Sequence, residues 1–470
     1  MHQQHFHIIY FESTSMLRYS LVLLFLGFLS GVKSDSAASQ ALFTEWSGWG
    51  GNYLNNGWAS QNTHITSSNI KSAVPQCNVS YPIGVSATPV VFGNTVYYPT
   101  WNGSFVALDY ASCRVLWQIN VTEIVANYAP YTEFLFGPRP LSRTSPQIDG
   151  NLNPHPMAVV TMSPTFFDGK LFVGASSVEE NLTLNPSYPC CSFVGWSGAA
   201  LWGSQPAIDT SRRQVFVATG NVYSLPEVII QCQHDTENIT AVLQGLVPDS
   251  CLPANIWQQS VLAIDIDLGI VNWVNQLPPL DAYSAGCGFP GVRPPNITLC
   301  PEVPGLDADF AMAPTFVPGS SSTPHGKDTL VIGQKNGNLY AMSAQAGTIF
   351  WATVTSPGGL GGGLSWGVAV DDSRVYFVAT NSGEENFKMQ PSNEMTNRSA
   401  YGAASLLTGA LLLVALKKST GALLLDHGLG TNFHGGVAIQ DQYVLFGTGY
   451  WGFGPPGDVP GAINVMRVEQ

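Results

Sequence analysis

The chain has 470 residues, a formal net charge of −13 and only 10% charged residues, against roughly 25% in an average soluble domain. An acidic chain without a basic run repels a phosphate backbone, which argues against nucleic acid as a partner. Apolar residues at 45% supply a large core and argue against disorder, while 48 Gly, 32 Pro and 12 Trp suit many short strands joined by tight turns.

The first feature in chain order is a secretory leader over residues 1–34. Arg18 gives a positive start, Leu21 to Leu29 is an apolar run too short to span a bilayer comfortably, and Ser30, Gly31 and Ser34 supply small residues. Met16 is a second candidate start, and a membrane anchor is the alternative reading of the same run. Residues 35–470 then form one domain. Seven N-x-[ST] sequons, at Asn78, Asn102, Asn120, Asn181, Asn238, Asn296 and Asn397, agree with a glycosylated, secreted product. The later apolar stretch Leu406 to Leu416 is too short for a span, so stable membrane insertion is not expected, and it reads as a buried strand.

The body repeats one phrase. A small residue and Pro open it, an apolar strand, a Gly/Asp turn and a second strand follow, and it often closes on "ALD…G…W". The first copy runs from Ala87 to Trp117, a second from Met162 through "FFDGKLFVGASS", and a third from "SQPAIDTSRRQVFVATGN" to Trp273. A fourth ends at Trp351, a fifth joins "GVAVDDSRVYFVATNS" to "LLVALKKSTGALLLD", and a sixth reads "GGVAIQDQYVLFGTG". Repeats of about 40 to 50 residues, each a small antiparallel meander, describe propeller blades. The expected fold is all-β, with the recurring Trp filling the gap between adjacent sheets. Glu45 to Asn52 starts the domain as a candidate closing strand. Pro-rich insertions lie at Val121 to Pro156 and Val222 to Gln259.

The eight cysteines are an even count behind a leader. Proximity pairs Cys77 with Cys113, Cys190 with Cys191, Cys232 with Cys251 and Cys287 with Cys300, although eight cysteines allow 105 connectivities. None falls in a CxxCH haem motif or a paired-CxxC zinc pattern.

Six phrases carry candidate chemistry: "GASSVEE", "YPCCSF", "GWSGAALWGSQPAID", "VATGN", "GLDADFAMAP" and "GQKNG". A carboxylate such as Glu179 or its neighbour Glu180 suits a hard, oxygen-seeking cation. Asp307 and Asp309 flank one residue, so on a strand they share a face, while on a loop their geometry is open. Two close carboxylates without a cation would share a proton, and beside one they suit base catalysis and ligation.

In this order the phrases resemble the quinoprotein, pyrroloquinoline quinone (PQQ)-dependent, alcohol dehydrogenase superfamily, and its polyvinyl alcohol dehydrogenase-like members in particular. The resemblance covers Glu45 to Gln470. It implies a β-propeller of about seven to eight blades. It implies Ca²⁺ held by Glu179, Asn221 and Asp309. The quinone would lie between Trp202 on one face and a Cys190–Cys191 vicinal disulfide on the other, with Lys335 pairing its oxygens. The alternative bonds Cys190 and Cys191 to separate partners. Asp309 would be the general base, with Asp307 nearly as good a candidate. Trp366 and His434 match positions near the funnel floor. The implied activity is oxidation of an alcohol, with electrons leaving to an external acceptor. A non-catalytic propeller with a binding or structural role is the competing expectation. The chain departs from the family where "CCSFVG" runs directly into "WSGAALWGS". Roughly the outer strands of a blade are missing there, so one blade is expected to be incomplete.

Overall fold

The computed structural model describes residues 46–123, 158–159, 162–174, 176–177, 197–236, 240–241, 247, 249–253, 256–277, 282–283, 287, 300–412, 436–449 and 461–469. The described part is all-β, apart from an eight-residue helix at Glu227–His234 and short single turns of helix.

The repeated phrase folds into four-stranded antiparallel meanders. The first sheet is Val90–Phe92, Thr95–Pro99, Ser104–Asp109 and Arg114–Asn120. The second is Ala207–Asp209, Gln214–Ala218, Ser260–Asp265 and Val271–Gln276, and the third is Thr315–Val317, Thr329–Gly333, Asn338–Ser343 and Ile349–Val354. The fourth is built on Arg374–Asn381, Ala400–Ser405 and Leu411–Leu412, with Gly362–Leu364 and Ala369–Val370 both pairing to Arg374–Asn381. In the second and third sheets the second and third strands are almost wholly buried, because sheets lie against both of their faces.

The closing sheet joins the two ends of the described chain. Ala73–Tyr81 pairs antiparallel with Gly461–Val468, followed by Tyr443–Gly447 and Val437–Gln440. The expected closing strand, Glu45 to Asn52, is therefore corrected: Ala73–Tyr81 does that work. The described part of the earlier segment forms no strand. It crosses the inner edges of the sheets instead. A first strand leaves backbone N–H groups on its free inner edge that need acceptors. Trp46 O accepts from Val91 N at 2.7 Å, Tyr53 O from Ile208 N at 2.8 Å, Leu54 O from Phe316 N at 2.9 Å and Asn56 O from Val370 N at 2.8 Å. Asn55, 2% exposed, adds bonds from Nδ2 to Ser204 Oγ and Pro314 O at 3.2 and 3.3 Å.

Sheet-to-sheet packing follows the expected tryptophan. Trp273 donates its indole N–H to Ala344 O in the third sheet at 3.3 Å, and Trp351 donates to Leu406 O in the fourth at 3.0 Å. Two other expectations shift. The third strand of the fourth sheet is Ala400–Ser405, not the "LLVALK" run. Leu406 to Leu416 is not one strand: a turn with Gly409 at φ 72° precedes Leu411–Leu412, and the rest lies outside the described residues.

Between the first and second sheets, the described residues contribute only two-stranded pairs. Thr165–Phe167 with Lys170–Phe172 is the clearest, joined by Asp168 and Gly169, both at positive φ as a tight hairpin turn demands. The disulfides Cys77–Cys113, Cys232–Cys251 and Cys287–Cys300 are formed as proximity suggested. Cys190 and Cys191 lie outside the described residues.

Cys77–Cys113 ties the closing sheet to the first sheet across 36 residues. Replacing both by Ser restores loop entropy to the unfolded chain, a loss of about 3–4 kcal/mol. A guanidinium titration of the double Ser variant should show a correspondingly lower midpoint, and an unchanged midpoint would contradict this role.

Candidate functional site

The second and third sheets present the ends of their second strands on one side of the molecule. Thr219, Gly220 and Asn221 follow Gln214–Ala218, and Gln334 and Lys335 follow Thr329–Gly333. Asp307 and Asp309 come from the irregular stretch that leads into Thr315–Val317. Backbone bonds lock these pieces together: Lys335 N donates to Asp309 O at 3.0 Å, and Gln334 Nε2 donates to Ala308 O at 2.6 Å.

The side chains then converge. Lys335 Nζ lies 2.5 Å from Asp307 Oδ2 and 3.4 Å from Asp309 Oδ2. Asp309 Oδ1 accepts from the backbone N–H of Asn221. Asn221 Nδ2 donates to Tyr283 O at 3.2 Å. Asp307, Asp309, Asn221 and Lys335 are 1%, 5%, 1% and 8% exposed. The two carboxylates meet without strand alternation: Asp307 has φ 59°, a left-handed conformation that Asp tolerates better than most residues.

Aromatic walls border the cluster. Trp202 lies with its ring 5.8 Å from Lys335 Nζ and packs edge-on against Trp366, with centroids 5.4 Å apart. Trp49 donates its indole N–H to Trp366 O at 2.9 Å. A Cβ on Gly220 would sit 2.5 Å from Asp309 Oδ1 and 3.2 Å from Trp202 Nε1, so only glycine lets the carboxylate and the indole approach together.

Among the described residues, one ammonium faces two carboxylates in a buried site. Excess negative charge away from water is costly unless a cation offsets it. Asn221 Oδ1 is buried and accepts no hydrogen bond. An orphaned amide oxygen beside a carboxylate is a donor set suited to a hard cation. Among the described residues, no group of three or more His, Cys, Asp and Glu is placed to hold a metal ion. Glu179, the expected third ligand, lies outside them, as do Glu180, Cys190, Cys191 and His434.

The structure thus brings together Trp202, Asn221, Asp307, Asp309 and Lys335, and adds Trp366 as a wall. Sequence reasoning missed Gly220 and Trp49. Gly220 stood inside the quoted "VATGN" phrase, and Trp49 was noted only as part of a candidate strand.

A curated polyvinylalcohol dehydrogenase from Pseudomonas sp. is 25% identical to this chain, over 71% of the chain and 54% of the relative. A second, from Sphingopyxis sp. (strain 113P3), matches at 25% with the same coverage. The chain is a sequence relative of the polyvinylalcohol dehydrogenases. It spans about half the length of those two relatives. No family model matches. A solved quinohemoprotein alcohol dehydrogenase from Comamonas testosteroni aligns with a TM-score of 0.47 and 13% identity, over 92% of this chain and 81% of that one. The resemblance to polyvinyl alcohol dehydrogenase-like proteins, read from the six phrases, is borne out by the curated relatives.

Lys335 is the cation that faces the acidic pair. Lys335→Met removes the ammonium that faces two buried carboxylates, a loss of about 3–5 kcal/mol. Adding Asp307→Asn removes one of those charges and should recover part of the loss. Denaturant midpoints of both single variants and the double variant measure this coupling; additive effects would show that the three groups do not act together.

Proposed function

We propose that the chain is a secreted, PQQ-dependent oxidoreductase on a β-propeller of the quinoprotein type, which oxidises an alcohol and passes electrons to a separate acceptor. The observation that carries this reading is the buried cluster of Lys335, Asp307 and Asp309 against Asn221 and Trp202. A ring of sheets is supported by inner strands that meet one central segment and by a closing sheet that joins both ends of the described chain.

Each residue has a role that its geometry allows. Asn221 Oδ1 and the Asp309 carboxylate would hold the cation, Ca²⁺ by the hardness of these oxygens, with Glu179 as a further ligand. Trp202 offers a flat π-surface to a planar quinone, and Cys190 with Cys191 would face it from the other side. Bound there, the quinone supplies a two-electron acceptor and the cation a Lewis acid. Asp309 Oδ1 is held by the Asn221 N–H, so Oδ2 is the atom that receives the alcohol's hydroxyl proton. Lys335 Nζ lies 3.4 Å from that oxygen and 2.5 Å from Asp307 Oδ2, and holds Asp307 in place. The alcohol oxidised, polymeric as in the names of the curated relatives or small, is set by the walls around Trp202 and Trp366.

Reconstitution with PQQ and Ca²⁺, followed by dye reduction with a panel of alcohols, tests the proposal. Binding with quenched tryptophan fluorescence and turnover are expected. Asp309→Asn should retain quinone binding and lose turnover by about 10²–10⁴-fold, the usual contribution of a general base. Well-folded protein that neither binds quinone nor reduces dye would sink the enzymatic reading. The second reading, a non-catalytic binding propeller, would then stand; it is motivated by the sequence, in which "CCSFVG" runs directly into "WSGAALWGS".

Secretion and glycosylation belong to the same proposal. The four sequons within the described residues, Asn78, Asn102, Asn120 and Asn397, are all exposed. Protein made in a eukaryotic secretory host should lose mass with an N-glycan-specific amidase, and peptide mapping should place glycans at these four positions. Unmodified asparagines at all four would refute this part.

A further inference from the structure

The hairpin that carries Lys335 has a polar residue at every second position: Gln334, Asn336, Asn338 and Tyr340. Polar residues at a hairpin tip ordinarily face water. Here Gln334 and Tyr340 are 1% and 6% exposed. A buried amide needs partners at both its oxygen and its nitrogen.

Gln334 finds them on two sides. Its Oε1 accepts from the Tyr340 hydroxyl at 3.1 Å and from Asn336 Nδ2 at 2.7 Å. The Tyr340 oxygen accepts in turn from Asn338 Nδ2 at 3.1 Å, so the hydroxyl proton goes to Gln334. Gln334 Nε2 faces the other way and donates to Ala308 O at 2.6 Å. A carbonyl can only accept, so the partners fix which way the amide points. The donors run in one direction, from Asn338 through Tyr340 and Gln334 to Ala308, and each bond polarises the next. The Tyr340 ring also packs edge-on against Phe310, with centroids 6.4 Å apart.

Ala308 O belongs to the peptide that joins the two acids of the site. Asp307 precedes it at φ 59°, a sparsely populated conformation that persists where the surroundings impose it. Asp309 follows it. The Asp309 carbonyl accepts from Lys335 N at 3.0 Å, and its Oδ1 accepts from Asn221 N–H. Gln334 fixes the peptide plane in front of these contacts, and with it the direction in which the Asp309 side chain leaves the backbone.

We propose that Gln334, oriented by Tyr340 and Asn336, is a positioning residue for the Asp307–Lys335–Asp309 cluster. One hairpin then supplies both the ammonium and the clamp that brings two carboxylates to it. The catalytic consequence rests on the proposed role of Asp309, whereas the clamp is a property of the chain without any cofactor.

Hydrogen exchange of the full chain, without cofactor, tests the clamp. Asn221 lies beyond a strand of the second sheet, and its N–H donates to the Asp309 carboxylate, so its exchange reports where that carboxylate stands. Gln334→Met removes the donor at similar length. Tyr340→Phe keeps the ring on Phe310 and removes only the hydroxyl that orients Gln334. Both variants should speed exchange at Asn221 by about 2- to 10-fold, as for the loss of one net hydrogen bond. The amides of Ser104–Asp109 in the first sheet should keep their rates. After reconstitution with PQQ and Ca²⁺, Gln334→Met should lower kcat by about 10²-fold, the cost of misplacing a reacting group by about 1 Å, with KM for the alcohol unchanged. Unchanged exchange at Asn221, equal acceleration in Ser104–Asp109, or an undiminished kcat in Gln334→Met would each overturn the proposal. If Gln334→Met does not fold, exchange in Tyr340→Phe decides. A parent chain that turns over no alcohol would sink the enzymatic reading and leave the exchange result to judge the clamp.

Discussion

Four of the described inner strands share one problem, an edge of backbone N–H groups with no neighbouring strand. The segment from Trp46 to Asn56 solves it. Its carbonyls take one N–H each from Val91, Ile208, Phe316 and Val370, which belong to four different sheets. Each such bond contributes only about 0.5–1.5 kcal/mol net, but leaving the buried group unpaired costs about 1–3 kcal/mol. The segment therefore sets where the sheets stand relative to one another. Asn55 reinforces it, bonding Ser204 of one repeat and Pro314 of the next with a single side-chain amide.

The outer parts of the sheets are held by a different contact. A large indole lies on a glycine at positive φ, and its N–H meets a carbonyl at the turn, as in Trp273 on Gly347 and Trp351 on Gly409. At the junction of the closing and first sheets a disulfide does the same work. Inner hydrogen bonds and outer indoles together give rigid sheets whose strand ends are held in place. Rigid strand ends are what a site of short polar contacts requires.

The candidate site draws on that rigidity. Asn221 and Lys335 stand just beyond the second strands of adjacent sheets, and Asp309 lies between them, bonded to both backbones. Three charged groups and an amide are buried within a few ångströms, an arrangement that water-exposed loops would not hold. Trp202 and Trp366 close one side, so the charged groups face an aromatic wall.

Much of this was legible in the sequence. Strand alternation and the "ALD…G…W" phrase determined the meanders, the local disulfides and the Trp contacts, because these depend on residues near one another in the chain or on a repeated local pattern. The phrases around Trp202, Asn221, Asp307, Asp309 and Lys335 marked the site residues one by one. Only the tertiary structure decided what joins them. Ala73–Tyr81 rather than Glu45 to Asn52 closes the sheet, because the earlier segment's carbonyls are needed by inner-strand N–H groups hundreds of residues away. Ala400–Ser405 is the third strand of the fourth sheet, set by its pairing along Arg374–Asn381 rather than by local hydropathy. The need for Gly220 was equally hidden, for it arises from the space left between a carboxylate and an indole that belong to other parts of the chain.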